Sequence, residues 1–286
     1  MTVEVDGSNE ATAAAELRLE EAFRGLADGS LAPSAQAVKA AEASGHYSTS
    51  QFVYGEVGLE VGPVLRKLDL QPSDVLYDLG SGRGRLVLGA ALWPGGPGSC
   101  ARVVGVELDN NRHAVALQAA ARMGETPRPW DLKCGDVLCE PLEDATVAFC
   151  NNAVFNERLN GALAGRLSAA LTPNLRTAFT TSPLPLKQAM AADLSLSAIS
   201  VLPVNWSSAG QPLYCYSRGP LRGEVDVDPK TGQMLDDMRA KCLTEECTGC
   251  SRDSCLMRVA AFAQLIRGQA KEWSAAAAAA EAREGY

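Results

Sequence analysis

The residues densest in chemical potential are Asp78-Leu79-Gly80-Ser81-Gly82-Arg83-Gly84. An apolar strand-like run precedes them and a helix-like run follows. Glycines in such a turn let the chain bend sharply and let a ligand approach the backbone at a helix N-terminus. Dinucleotides and nucleosides both use turns of this kind. The nicotinamide fingerprint is G-x-G-x-x-G, whereas the spacing here is G-x-G-x-G. Asp78 stands two residues before the first glycine. A carboxylate there opposes a pyrophosphate but suits the α-amino group of an amino-acid moiety, such as that of S-adenosylmethionine. Glu107 closes the next strand-like run and could accept both hydroxyls of a ribose. Asp136, in Gly135-Asp136, follows the third such run and could accept from the adenine amine. Either carboxylate alone could equally cap the helix that follows it. All four features in order at one sheet edge favour S-adenosylmethionine.

A second constellation is Phe149-Cys150-Asn151-Asn152-Ala153-Val154-Phe155. Adjacent amides could orient a methionine moiety or an incoming amine without trapping an ammonium in a salt bridge. A polar turn capping the next helix is the plainer reading of the same residues. The sequence has two His. His113 lies mid-helix and reads as surface or packing. His46 has no matched role. Four of the nine Cys, namely Cys242, Cys247, Cys250 and Cys255, fall in one short stretch. Four thiolates suit tetrahedral zinc, but only Cys247 and Cys250 have the C-x2-C spacing of a zinc knuckle. Free thiols, or a nested pair of disulfides, fit the pattern as well.

The elements that must position these residues follow from periodicity. Asn9 or Thr12 starts a helix that runs to about Ala27, with Leu17, Leu19, Phe23 and Leu26 as its apolar stripe. Pro33-Ser34 starts a second helix that Gly45 ends. Strands are expected at 75–79, 102–107, 131–134, 146–150, 175–180, 196–202 and 213–216. Helices are expected at 84–93, 110–123 and 157–171, and a last one at 256–273. Strands alternating with helices indicate a mostly parallel sheet covered on both faces. The expected division is a helical lobe over 1–50, a cofactor-binding domain over 51–217 and a Cys-rich helical appendage over 218–286.

Composition narrows the class. The chain has 286 residues, is 47% hydrophobic and carries a net charge of −8, so it can build a large core and lacks the basic surplus of a dedicated nucleic-acid binder. Residues 1–53 hold eight acidic and three basic side chains, and residues 218–286 hold eleven and ten. No apolar run reaches the ~18 residues of a membrane helix. Met1–Glu10 lacks the layout of a signal peptide, so an intracellular setting is expected.

Seven segments in order carry a family resemblance. They are Gln51–Glu56, Tyr77–Gly84, Val104–Glu107, Gly135-Asp136, Phe149–Phe155, Thr181–Leu186 and Val204-Asn205-Trp206-Ser207. Together they resemble the non-SET histone lysine methyltransferases of the disruptor-of-telomeric-silencing type. The resemblance spans about Gln51 to Tyr216. It implies a class I methyltransferase fold, Rossmann-like, with a seven-stranded mostly parallel sheet. It also implies methyl transfer from S-adenosylmethionine to a lysine in the core of histone H3, with histone H3 or the nucleosome as partner. By position, Tyr54 and Glu56 line the cofactor cleft, and Asp78, Gly80, Ser81, Gly82 and Gly84 hold the methionine end. Glu107 takes the ribose, and Asp136 and Val137 the adenine. Asn151 sits beside the transferring methyl. Phe155, Trp206 and Tyr214 wall a lysine channel that Tyr54 also borders.

Three departures stand out. Val137 replaces an aromatic, Ala153 replaces a Phe and points to a wider channel, and both flanks are acidic where the family uses basic segments to neutralise DNA phosphates. The sequence therefore reads as a protein-lysine methyltransferase, nuclear if it acts on histone H3 and cytoplasmic otherwise. The alternatives are a same-fold enzyme for a non-histone protein or small amine, and a silent cofactor-binding module.

Overall fold

A computed structural model describes residues 7–27, 32–45, 60–96, 98–204, 207–220, 224–227, 233, 268–276, 278–279 and 282. Helices α1 (Gly7–Phe23), α2 (Ala35–Ser44) and α3 (Val61–Lys67) precede the sheet. The remaining elements are β1 (Val75–Leu79), α4 (Arg85–Leu92), β2 (Arg102–Glu107), α5 (Asn110–Met123), β3 (Trp130–Cys134), β4 (Val147–Cys150), α6 (Glu157–Arg166), β5 (Thr177–Thr180), α7 (Leu186–Ala191), β6 (Leu194–Val204), β7 (Ser207–Arg218) and β8 (Asp226–Val227).

The sheet order is β3-β2-β1-β4-β5-β7-β6-β8. Strands β1 to β5 pair in parallel, and β7 runs antiparallel between β5 and β6. This is the class I methyltransferase fold, with one change. Seven strands were expected, and β8 adds an eighth, parallel to β6. Its two residues are too few to leave a periodic signal. The order reverses at β1, with β2 on one side and β4 on the other. In such sheets ligands bind beyond the carboxyl ends of the strands at that reversal.

Helix ends follow local chemistry. Ser34 caps α2 by accepting from the Ala37 N–H at 3.2 Å, and Gly45 closes it in the left-handed region. Asp109 caps α5 through the Asn111 N–H, and Asn156 caps α6 through the Leu159 N–H. Helix α6 stops at Arg166, short of the expected 171. Thr172 Oγ1 donates to the Arg166 carbonyl, and Arg218 Nη2 donates to those of Leu167 and Thr172. These side chains supply the donors that end-of-helix carbonyls need. In α1, Leu19, Ala22 and Phe23 are buried while Leu17 is 60% exposed, because residues two apart do not share a helix face.

Two cores cover the two faces of the sheet. On one face, Leu19, Leu65, Leu88 and Ala119 from α1, α3, α4 and α5 pack on Leu76, Val103, Val147 and Leu213. On the other, Leu163 of α6 and Ala189 of α7 pack on Leu79, Val106, Cys150 and Tyr214. Ala270 and Trp273, in the helical segment 268–276, join this second core, where Trp273 meets Tyr216 edge-to-face.

Asp74 clamps the opposite edge of the sheet. Its carboxylate accepts from the Gln71 N–H, from Thr146 Oγ1 and from Nε and Nη2 of Arg176. Thr146 Oγ1 in turn accepts from the Val75 N–H at 2.9 Å. The starts of β1, β4 and β5 are thereby tied together. Burial pushes the Asp74 carboxyl up, but the bonds from Arg176, Gln71 and Thr146 outweigh it and hold the pKa below its ordinary value. Asp74→Ala should cost about 2–3 kcal/mol in urea unfolding, the lower end for a buried pair because Arg176 is partly exposed. A depressed folded pKa contributes stability above the ordinary carboxylate value of about 3.9 and loses it as pH falls through the folded value. Acid titration of Asp74→Asn should lack that loss.

Candidate active site

The turn after β1 folds back on β2. The N–H groups of Gly80 and Ser81 both donate to the Val106 carbonyl, at 2.8 and 3.0 Å. The Gly82 N–H donates to Glu107 Oε2 at 2.7 Å. Gly80, Gly82 and Gly84 all have positive φ. Gly84 opens α4, and a Cβ there would lie 3.0 Å from Ala116 Cβ and 3.2 Å from Leu132 Cδ2. The loop's successive amides are thus consumed by β2. They form no nest for a pyrophosphate, which needs N–H groups pointing at the ligand. What the turn offers outward is the exposed backbone of Gly80, with Asp78 buried beside it near the end of β1.

Glu107 is fully buried at the end of β2. Its Oε1 accepts the Asp109 N–H at 2.8 Å while Oε2 holds Gly82. Burial pushes its pKa up, against the Asp109 N–H, the charge of Arg112 and the Gly82 N–H. Two acceptor positions of the carboxylate remain for a diol. Asp109 extends the chain of contacts, since its Oδ2 accepts the Ser34 N–H at 3.1 Å. Helix α2 is therefore anchored over the β2–α5 turn, with Ala37 and Ala41 packed on Leu108. Asp136 lies half-buried beyond β3 and accepts the Leu138 N–H in a tight turn. Val137 is buried in the core.

The two asparagines after β4 have separate jobs. Asn152 is 0% exposed. Its Nδ2 donates to Asn160 Oδ1 and the Ser182 carbonyl, and its Oδ1 accepts the Ser182 N–H. Asn151 is half-buried. Its Oδ1 accepts from Thr181 Oγ1 at 2.7 Å, and its Nδ2 has no partner among the described residues. The Phe155 carbonyl accepts from Asn160 Nδ2, and the Phe155 ring approaches within 3.9 Å of where a Gly80 Cβ would stand. Phe155 therefore meets the glycine turn at the strand reversal, and Asn151 follows directly on β4, the strand beside β1.

Tyr214 lies opposite Thr180 at the same edge. It is buried, and its hydroxyl donates to Gln269 Oε1 at 2.6 Å, with burial pushing its pKa up to about 12. Its ring belongs to the second core and its hydroxyl faces the helical segment 268–276. His113 sits on α5, its pKa lowered by burial, away from these groups. Tyr54, Glu56, Trp206, His46 and the cysteines 242, 247, 250 and 255 lie outside the described residues. Among the described residues no group of three or more His, Cys, Asp and Glu could hold a metal ion. Asp109, Asn160 and Thr181 had no sequence signal beyond proximity to the motifs. Thr181 opens a resembling segment, but its bond to Asn151 spans 30 positions.

Residues 35–174 match the family described as histone methylation protein DOT1. The match covers just under half of the chain. It holds the glycine turn, Glu107, Asp136, Asn151 and Phe155, and it stops before β5. A histone-lysine N-methyltransferase of Eremothecium gossypii, H3 lysine-79 specific, is 32% identical over 130 residues, covering 41% of this chain and 22% of that protein. The chain thus spans about a fifth of the length of that curated relative. Among solved structures, an RNA methyltransferase of Salinibacter ruber with S-adenosyl-L-homocysteine aligns at 20% identity, covering 58% of this chain and 95% of its own, with a TM-score of 0.39. The Synechocystis magnesium protoporphyrin IX methyltransferase aligns at 15% identity, covering 77% and 100%, with a TM-score of 0.44.

The asparagines give a direct test. Asn152→Ala should lower stability by about 2–3 kcal/mol, because three buried or half-buried groups lose their partner. Asn151→Ala should stay within about 1 kcal/mol of wild type in the same urea titration. Gly84→Ala should cost about 1–3 kcal/mol from its backbone conformation and the close Ala116 and Leu132 contacts.

Proposed function

We propose that the chain is an S-adenosylmethionine-dependent protein-lysine N-methyltransferase of the non-SET type, with histone H3 as its substrate. One observation carries the reading. The glycine turn spends its amides on β2 and Glu107, so the edge presents carboxylates rather than an anion cradle. Asp78, Glu107 and Asp136 follow in order along it, and these suit an ammonium, a ribose diol and an adenine amine. Carboxylates in that position oppose a phosphate. The DOT1 match over 35–174 supports the same assignment.

S-adenosylmethionine, when bound, supplies an electrophilic methyl group. The chain's own residues do the rest. Asp78 pairs with the α-ammonium. Glu107 accepts from the ribose hydroxyls with the lone pairs that Gly82 and Asp109 leave, and Asp136 orients the adenine. The acceptor amine must arrive neutral and aligned, although a free lysine has a pKa near about 10.4. The Phe155 ring disfavours the ammonium, as an apolar wall does. Asn151 keeps one lone pair on Oδ1 to accept from the neutral amine and offers Nδ2 as a donor. Thr181 holds that amide in place. Tyr54 and Trp206 complete the channel by resemblance. A histone substrate would place the chain in the nucleus.

Tritiated S-adenosylmethionine offered with nucleosomes, free histones and a cell extract tests this reading. Label on histone H3, reduced at least about tenfold in Asn151→Ala, is the expected result. Label only on other proteins or on small amines would discard the histone; the exposed Ala153, where the family has Phe, is the feature that would then explain a wider acceptor. No label, with S-adenosylhomocysteine still bound in calorimetry, would leave a silent binding module. Glu107→Ala should weaken S-adenosylhomocysteine binding by about tenfold or more, since it removes two charge-assisted hydrogen bonds.

A further inference from the structure

Beside the candidate active site lies a cleft of about 390 Å³ formed by α6, the chain after β5 and the helical segment 268–276. Its size falls among sites that enclose part of a ligand. Leu184 and Trp273 are the buried apolar part of its lining, and Glu157 and Glu272 add exposed carboxylates. Among the described residues no basic side chain lines it. Neither carboxylate has an ion-pair partner among the described residues.

The cleft is linked to the reacting end by hydrogen bonds through Asn160 and Ser182. Asn160 lines it, accepts from Asn152 Nδ2 at 2.7 Å and donates to the Phe155 carbonyl. Ser182 lines it too, and its N–H donates to Asn152 Oδ1 at 2.7 Å. Gln269, a third lining residue, accepts the Tyr214 hydroxyl. A chain whose lysine reaches Asn151 has this cleft beside it, one residue beyond the Thr181 that holds Asn151. An apolar floor with a carboxylate on each of two walls matches a long basic side chain, whose methylene stem packs while its head pairs.

We propose that this cleft is a specificity site for the substrate polypeptide, taking an Arg or Lys that flanks the acceptor lysine. The inference rests on the lysine-methyltransferase reading above. It locates substrate selection in Glu157 and Glu272, outside the reacting groups. It also gives this acidic chain a way to hold a basic protein without basic segments of its own.

The test uses the full chain with Glu157→Lys and Glu272→Lys, singly and together. Both positions are exposed, so folding should be unaffected. Fluorescence anisotropy, with S-adenosylhomocysteine present, compares two short peptides with a central lysine, one flanked by Arg and one by Glu. Wild type should prefer the Arg-flanked peptide by about tenfold, and the double variant should lose or reverse that preference. In methyl transfer to free histone H3, the double variant should raise KM by about tenfold with kcat and S-adenosylhomocysteine affinity unchanged. A wild type without charge preference, or a double variant that keeps it, would overturn the proposal. Labelled histone H3 with an unchanged KM in the double variant would overturn the cleft alone. Charge-dependent binding that reverses in the double variant, with no methyl transfer to any substrate, would retain the cleft and remove the enzymatic reading.

Discussion

A buried carboxylate can be kept only if donors meet it, and Glu107 meets that requirement with two backbone N–H groups. Those amides come from different turns. Gly82 belongs to the turn after β1 and Asp109 to the turn after β2. One side chain therefore sets the shape of both walls of the crevice at the strand reversal. Asp109 carries the constraint further by holding the Ser34 N–H and seating α2 over the same turn. Burial raises the Glu107 pKa, and the two N–H groups leave part of its acceptor capacity unspent. A carboxylate held this way suits groups that donate hydrogen bonds and opposes anions.

The antiparallel β7 has a comparable effect on the acceptor side. It places Tyr214 opposite Thr180, and Gln211 Nε2 reaches the Thr181 carbonyl at 2.9 Å. Thr181 in turn holds Asn151. A parallel strand in that place would require a crossover connection. The β6–β7 hairpin instead returns directly to the edge where β4 and β5 end. The helical segment 268–276 then closes over Tyr214 and Tyr216. One wall of the acidic cleft thus comes from sequence far beyond the DOT1-matched residues.

Rigidity and reactivity are divided between neighbours. Asn152 spends its amide on Asn160 and Ser182 and has no exposed surface. Asn151 spends one bond and keeps the remainder. Pairing a locked residue with an available one holds the Asn151 amide in place without occupying it, as the proposed reaction would require. The carboxylates divide in the same way: Asp74 ties strand starts together, while Asp78 and Glu107 stand at strand ends.

Much of this was legible in the sequence because it is local. The glycine spacing, the start of α2 at Ser34 and the buried runs of β1, β2, β4 and β5 depend on neighbours a few positions away. The order of carboxylates along the edge followed from the alternation of strand and helix. Short elements escaped, since α3, α7 and β8 hold too few residues to show a period. The end of α6 escaped because Arg218 and Thr172, not local propensity, terminate it. Only the tertiary structure separated Asn151 from Asn152, turned the Tyr214 hydroxyl to Gln269 and joined Asp74 to Arg176. Each of these rests on contacts between residues 30 or more positions apart, for Asp74 and Arg176 as many as 102. Residue type set what each group could bond to; the packing of the sheet decided which partner it met.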